Sequence, residues 1–161
     1  MLKIKFLLVL CAIFIAGYCI AQTAPTMEPT LLTPAEIKWG PAPDFLSAGA
    51  KFVVLYGDPG KDGEPYSIRL SMPSGYKIMP HFHPKVENVT VISGHFVAGG
   101  GDKIDPKTAK HFPAGSYASL PANMHHFAYA QGATVVQVDG IGPFQITYVN
   151  AADDPRTKKT P

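Results

Sequence analysis

His81 and His83 are separated by one residue, and Glu87 follows four residues after the second histidine, inside GYKIMPHFHPKVENVTVISG (75–94). In an extended strand, residues two apart point to the same face. The two imidazoles therefore project side by side. Pro84 has no amide hydrogen to give to a ladder and marks a turn. The chain after it reads as the returning arm of a hairpin, in which Glu87, Val89 and Val91 alternate with Asn88, Thr90 and Ile92. Glu87 then shares a face with valines that read as interior. A carboxylate facing a core is costly unless it is paired or bound to a cation, and imidazole with carboxylate is a donor set for a divalent transition metal. The competing reading is a hydrogen-bonded His–Glu pair with no ion. Three such groups converging from one hairpin favour the ion.

All six histidines fall between residues 81 and 126. His125 and His126 are adjacent, so in a strand they face opposite ways and only one can enter a site. His95 at a turn and His111 in a loop read as surface or internally satisfied histidines. No serine, lysine or aspartate sits in a recognisable catalytic motif, and no acid–base pair is evident. Tyr117, Tyr129, Gln137 and Tyr148 lie on candidate strands, where each is either a cavity liner or an ordinary strand residue.

Short strands must position these groups. Fifteen glycines and sixteen prolines break the chain at short intervals. Between them lie KFVVLY (51–56), PYSIRLSM (65–72), VENVTVIS (86–93), GSYASL (115–120), HHFAYA (125–130), ATVVQVDG (133–140) and FQITYVN (144–150). Runs of this length and spacing predict an all-β sandwich or barrel. Thr33-Pro34-Ala35-Glu36 carries a cap residue, a first-turn proline and a glutamate three residues on, and predicts one short N-terminal helical turn. No repeat and no second domain is apparent.

The start of the chain reads differently. Lys3 and Lys5 precede an apolar run from Phe6 to Ala16, and Cys19-Ile20-Ala21 fits a cleavage site. Residues 1–21 thus read as a secretory signal, because the run is shorter than the roughly 20 residues of a membrane span. Residues 22–45 form a proline-rich lead-in, 46–150 the barrel, and 151–161 a mobile polar tail. Cleavage would remove both cysteines, Cys11 and Cys19, leaving a core, or a core plus a metal, to hold an exported domain together. It would also remove Lys3 and Lys5 and leave equal numbers of basic and acidic residues. A neutral domain without a basic run argues against nucleic acid as a partner, and against stable membrane association once the signal is removed.

The spacing Gly75, His81, His83, Glu87, Gly94 resembles the first motif of the cupin superfamily at each fixed position. Gly115, followed by Pro121-Ala122-Asn123-Met124-His125-His126, is similar to the second. The likeness implies a β-barrel of jelly-roll type with a metal inside one end. It also places His126, rather than His125, at the fourth ligand position beside His81, His83 and Glu87. Asn123 stands where the family usually has glycine. If that turn needs a positive φ, asparagine is the next most tolerant residue. Ala130 stands where the family often has asparagine, which bears on how the ligands are oriented. The ends GIGPFQITYVN and ADDPR resemble those of small exported single-domain bacterial cupins with no assigned reaction.

The resemblance implies one divalent transition ion (Fe, Mn, Ni, Cu, Co or Zn) with open positions for a small-molecule substrate or ligand. Cupins include dioxygenases, decarboxylases, isomerases and non-enzymatic binders. The first expectation is therefore an oxygenase-like, metal-dependent enzyme in the periplasm or secreted medium. The second is a cupin that captures a small ligand or metal chelate without turnover. A homodimer is a further expectation, because a short-stranded barrel has an edge to cover and the Thr33–Trp39 segment can cover it within or between chains.

Overall fold

Period-two burial runs through the long strands and fixes which face of each meets the core. In Pro65–Met72 the side chains of Tyr66, Ile68, Leu70 and Met72 are buried, while Ser67, Arg69 and Ser71 alternate outward. Glu87–Ser93 buries Glu87, Val89 and Val91, and Thr134–Ile141 buries Thr134, Val136 and Val138.

A computed structural model, which describes residues 28–157, arranges these and further strands into two antiparallel sheets. In chain order the strands are β1 (Gly40–Pro41), β2 (Lys51–Gly57), β3 (Pro65–Met72), β4 (Lys77–Phe82), β5 (Glu87–Ser93) and β6 (His95–Gly100). They continue with β7 (Ala109–Pro113), β8 (Tyr117–Leu120), β9 (His126–Ala130), β10 (Thr134–Ile141) and β11 (Thr147–Tyr148). One sheet runs β1-β2-β3-β10-β5-β8 and the other β11-β4-β9-β6-β7. The pairings of β3 with β10 and β4 with β9 bring distant parts of the chain together, as in a jelly roll. Ile68, Val89, Val136, Phe96, Ala128 and their buried neighbours fill the space between the sheets. Among the described residues no helix is long and apolar enough to cross a membrane.

The expected hairpin is not formed. β4 belongs to the five-stranded sheet and β5 to the six-stranded one, so the turn at Pro84 carries the chain from one sheet to the other. The period-two argument holds in either geometry, because it concerns the face of each strand and not its partner. The two histidines and Glu87 therefore face each other across the barrel.

His95 and His111 lie in strands β6 and β7, not in a turn and a loop. HFVAGG and AKHFP are poor strand sequences by composition. Pairing imposes the extended form: β9 holds β6 along one side, and β6 in turn holds β7. At the corner into β6, Gly94 has φ +79°, and a Cβ there would collide with the Ala133 carbonyl and Thr134.

Thr33–Glu36 makes a single turn and no longer helix. The Glu36 N–H donates to the Thr33 carbonyl at 3.0 Å, and the Glu36 carboxylate accepts from the Thr33 N–H and hydroxyl at 2.7 Å each. The end of the lead-in packs onto the barrel. Gly40 and Pro41 pair with Phe52 and Lys51, so the chain covers part of its own β2 edge. The Tyr148 hydroxyl donates to the Phe45 carbonyl at 2.8 Å and the Tyr76 hydroxyl to that of Ser47 at 2.6 Å. These two bonds clamp the following turn over the barrel end.

Residues 151–153 and 155–157, in the polar tail, form two 3-10 turns, and Arg156 donates to the Ile146 carbonyl. The expected signal segment and the start of the lead-in lie outside the described residues, as do residues 158–161.

Candidate metal centre

His81 on β4 and His126 on β9 are register partners, with ring centroids 4.2 Å apart. His83 follows the end of β4, and its ring lies 5.0 Å from that of His81 and 5.3 Å from that of His126. One ligand nitrogen from each of the three lies within 4.8 Å of the others. Glu87, at the start of β5, approaches from the opposite sheet. Its Oε2 is 3.5 Å from Nε2 of His83 and 3.5 Å from Nε2 of His126. All four side chains are buried. The backbone ties the two motifs together, since the Asn123 N–H donates to the His83 carbonyl at 2.8 Å. Asn123 has φ +61°, the positive value expected at that turn.

Three main-chain carbonyls orient the rings. Nδ1–H of His81 donates to Met79 O at 2.7 Å, that of His83 to Gln145 O at 2.7 Å, and that of His126 to Met124 O at 2.9 Å. A neutral imidazole that donates from Nδ1 carries its lone pair on Nε2. The cluster therefore turns imidazole nitrogens and a carboxylate toward one another. His83 Nε2 is buried without a hydrogen-bond partner. A buried acceptor set of this kind is what a cation satisfies, and the three histidines can hold a metal ion.

The electrostatics agree. Burial, reinforced by His126 and His83, pulls the His81 imidazole down to about 3. Burial lowers His83 as well, against the opposing pull of Glu87. Burial by itself would raise the Glu87 carboxyl. His83, His126 and His81 outweigh it and hold the group at about 2. At neutral pH Glu87 is a carboxylate, and burial keeps the rings of His81 and His83 neutral beside it.

The remaining candidates separate cleanly. His125 faces away from the cluster, stacks on Phe82 at 5.0 Å, and its Nδ1 lies 2.6 Å from an Asp102 carboxylate oxygen. Tyr117 is exposed and donates to Asn88, while Gln137 joins Arg69 and Asp139 on the outer face. The ring of Tyr148 meets the site, 6.1 Å from that of His81. Ala130 is buried and pairs through its backbone with Gly75 and Tyr76, so no side chain there orients a ligand.

Sequence reasoning missed Phe144, which stacks on His83 at 5.1 Å and 17°, and the Gln145 carbonyl beside it. Both belong to GPFQITYVN, where Phe144, Ile146 and Tyr148 alternate with Gln145 and Thr147. That signal marks a packed segment but not the partner 61 residues earlier. Leu46 and Phe52, which also line the interior cavity, were placed at the barrel boundary and on a strand, with no cue that they face the site.

Two antiparallel sheets in jelly-roll order, with three imidazoles and a carboxylate inside one end, constitute the cupin fold. Solved structures agree. The chain is similar to the polyketide cyclase RemF from Streptomyces resistomycificus, with 15% identity, TM-score 0.64, and coverage of 81% of this chain and 90% of that one. It is similar to an acetylacetone dioxygenase from Acinetobacter johnsonii, with 12% identity, TM-score 0.62, and coverage of 83% and 85%. It also resembles an RmlC-like cupin from Shewanella frigidimarina NCIMB 400, with 15% identity, TM-score 0.53, and coverage of 71% and 91%. No family model and no curated protein sequence matches the chain. At these identities the likeness establishes the fold.

Proposed function

We propose that this chain is an exported, metal-dependent cupin enzyme, oxygenase-like, acting on a small organic molecule. His81, His83, Glu87 and His126 would hold one divalent transition ion, with iron, manganese, nickel, copper, cobalt and zinc all compatible with the donor set. The observation that carries the reading is the convergence of buried acceptors whose orientation is fixed by main-chain carbonyls. The dioxygenase among the fold neighbours supports the oxygenase class.

When bound, the ion would supply Lewis-acid or redox chemistry at its open positions. The protein's part is to orient and to exclude water. The carbonyls of Met79, Gln145 and Met124 hold the rings, Phe144 covers one face of His83, and Leu46, Val89 and Val138 keep the interior dry. Capture of a ligand or metal chelate without turnover is the second reading. It is favoured by the lining of the interior cavity, where among the described residues the polar side chains are His81, His83 and Glu87, with no separate acid or base among them.

Elemental mass spectrometry of residues 22 onward, purified from an exporting host without chelator or nickel affinity, tests the centre. The expected result is about one equivalent of a transition metal. Iron, manganese, nickel or copper would send the work to oxygen-consumption assays. Zinc alone would favour binding or non-redox roles. No metal, and none taken up on reconstitution, would overturn the proposal.

A further inference from the structure

Two cavities touch the histidine cluster, each at different residues. The interior one, of about 30 Å³, touches His81, His83 and Glu87. On this scale a water needs roughly 10–15 Å³, so the barrel interior admits little more than a diatomic molecule or a water. The second is a surface cleft of about 170 Å³ that reaches His126. It lies between β7, the outermost strand of the five-stranded sheet, and β8, the outermost strand of the other. Gly100, Phe112, Ala118, Leu120 and Met124 line it.

We propose that this cleft is the ligand seat of the metal centre, and that its ligand is a compact organic molecule with an apolar body and a chelating oxygen end directed past His126. The inference rests on the metal reading above. Its first support is size: the interior cannot take such a molecule, whereas the cleft can. Its second is chemistry. Among the described residues no Lys, Arg, Asp or Glu side chain lines the cleft. The ammonium of Lys110, on the same face of β7 as Phe112, lies over the Phe112 ring 5.6 Å from its centroid. A multiply charged ligand such as a dicarboxylate or phosphate ester would find no paired cation in the lining. Its third is the backbone. A Cβ at Gly100 would come within 3.3 Å of the Met124 methyl, so glycine keeps the cleft floor open. The two edge strands are not joined to each other in a ladder, so the cleft can widen without breaking sheet hydrogen bonds.

The test uses full-length mature protein loaded with cobalt(II), whose visible spectrum reports on its ligands. Acetylacetone, a chelating diketone with apolar ends, and oxalate, a compact dianionic chelator, are titrated separately. Wild type, Gly100→Val and Met124→Trp are compared. Met124 is partly exposed, and its substitution leaves the carbonyl that orients His126 in place, so this variant serves if Gly100→Val fails to fold. Acetylacetone is expected to bind at least tenfold more weakly to either folded variant, with cobalt stoichiometry unchanged, and to bind wild type at least tenfold more tightly than oxalate does. Binding within twofold of wild type in a folded variant, or oxalate binding as tightly as acetylacetone, would overturn the proposal. So would a wild-type midpoint that rises with protein concentration, which would mean that a second copy covers the cleft. Cobalt bound with no response to acetylacetone defeats this inference alone. No cobalt bound defeats the metal reading first, and this one with it.

Discussion

Acidifying the metal-free protein should destabilise it well above the pH at which carboxylates titrate. His81 is held neutral in the folded state, down from its ordinary 6.5 to about 3. The unfolded chain takes up the proton first, so the unfolded state gains stability as pH falls through the window from 6.5 to about 3. The loss has a limiting slope of about 1.4 kcal/mol per pH unit for one group. Between pH 7.5 and 5.5 it amounts to about 1.3 kcal/mol from His81 alone. His83 is lowered by the same burial and adds to the loss in the same direction. For a domain of this size, each kcal/mol moves the midpoint by about 2–4 °C, so His81 accounts for a drop of about 3–5 °C. Below pH 4.5 Glu87, held at about 2, adds a further loss as pH falls. Urea unfolding in chelator at pH 7.5, 6.5 and 5.5, on wild type and His81→Gln, measures the effect. The variant's stability should change with pH by about one proton less. A wild-type stability that is flat or rises between pH 7.5 and 5.5, or a variant with the wild-type slope, would refute the reasoning that burial holds these rings neutral.

Other outcomes follow from the same geometry. His83→Ala should bring bound metal from about one equivalent to near zero by elemental analysis. His125→Ala, which alters a ring facing Phe82 and Asp102, should leave metal content unchanged. Tyr148→Phe removes the hydroxyl donated to the Phe45 carbonyl and should cost about 1 kcal/mol in thermal unfolding. Hydrogen exchange should quicken at residues 45–47 in the same variant. Asn123→Gly should be neutral within about 0.5 kcal/mol, whereas Asn123→Val should cost about 1–2 kcal/mol, because a β-branched residue resists φ +61°.

Much of this site was legible in the sequence because its signals are local. His81 with His83, and Glu87 with Val89 and Val91, share faces by strand periodicity alone, and the choice of His126 over His125 follows from motif spacing. The positive φ at Asn123 was readable from residue type and position. The pairing partner was not. Nothing within residues 75–94 says that β4 and β5 lie in different sheets, because alternation reports a face and not a neighbour. β6 and β7 escaped for a related reason: Gly99, Gly100 and Pro113 suppress the strand signal that pairing with β9 and β6 overrides. Phe144, Gln145 and Leu46 reach the centre only through long-range packing, which no spacing rule encodes.

The three carbonyls that orient the imidazoles have a consequence for how the site tolerates substitution. They belong to the backbone of Met79, Gln145 and Met124, and two of them stand two residues before the histidine they hold. A substitution at these positions changes a side chain and leaves the carbonyl in place, provided the strand pairing survives. Ring orientation is therefore inherited from the sheets, while the residues that shape the cavities are free to drift. A chain built this way can exchange one ligand preference for another through surface and cavity substitutions without first dismantling its donor set.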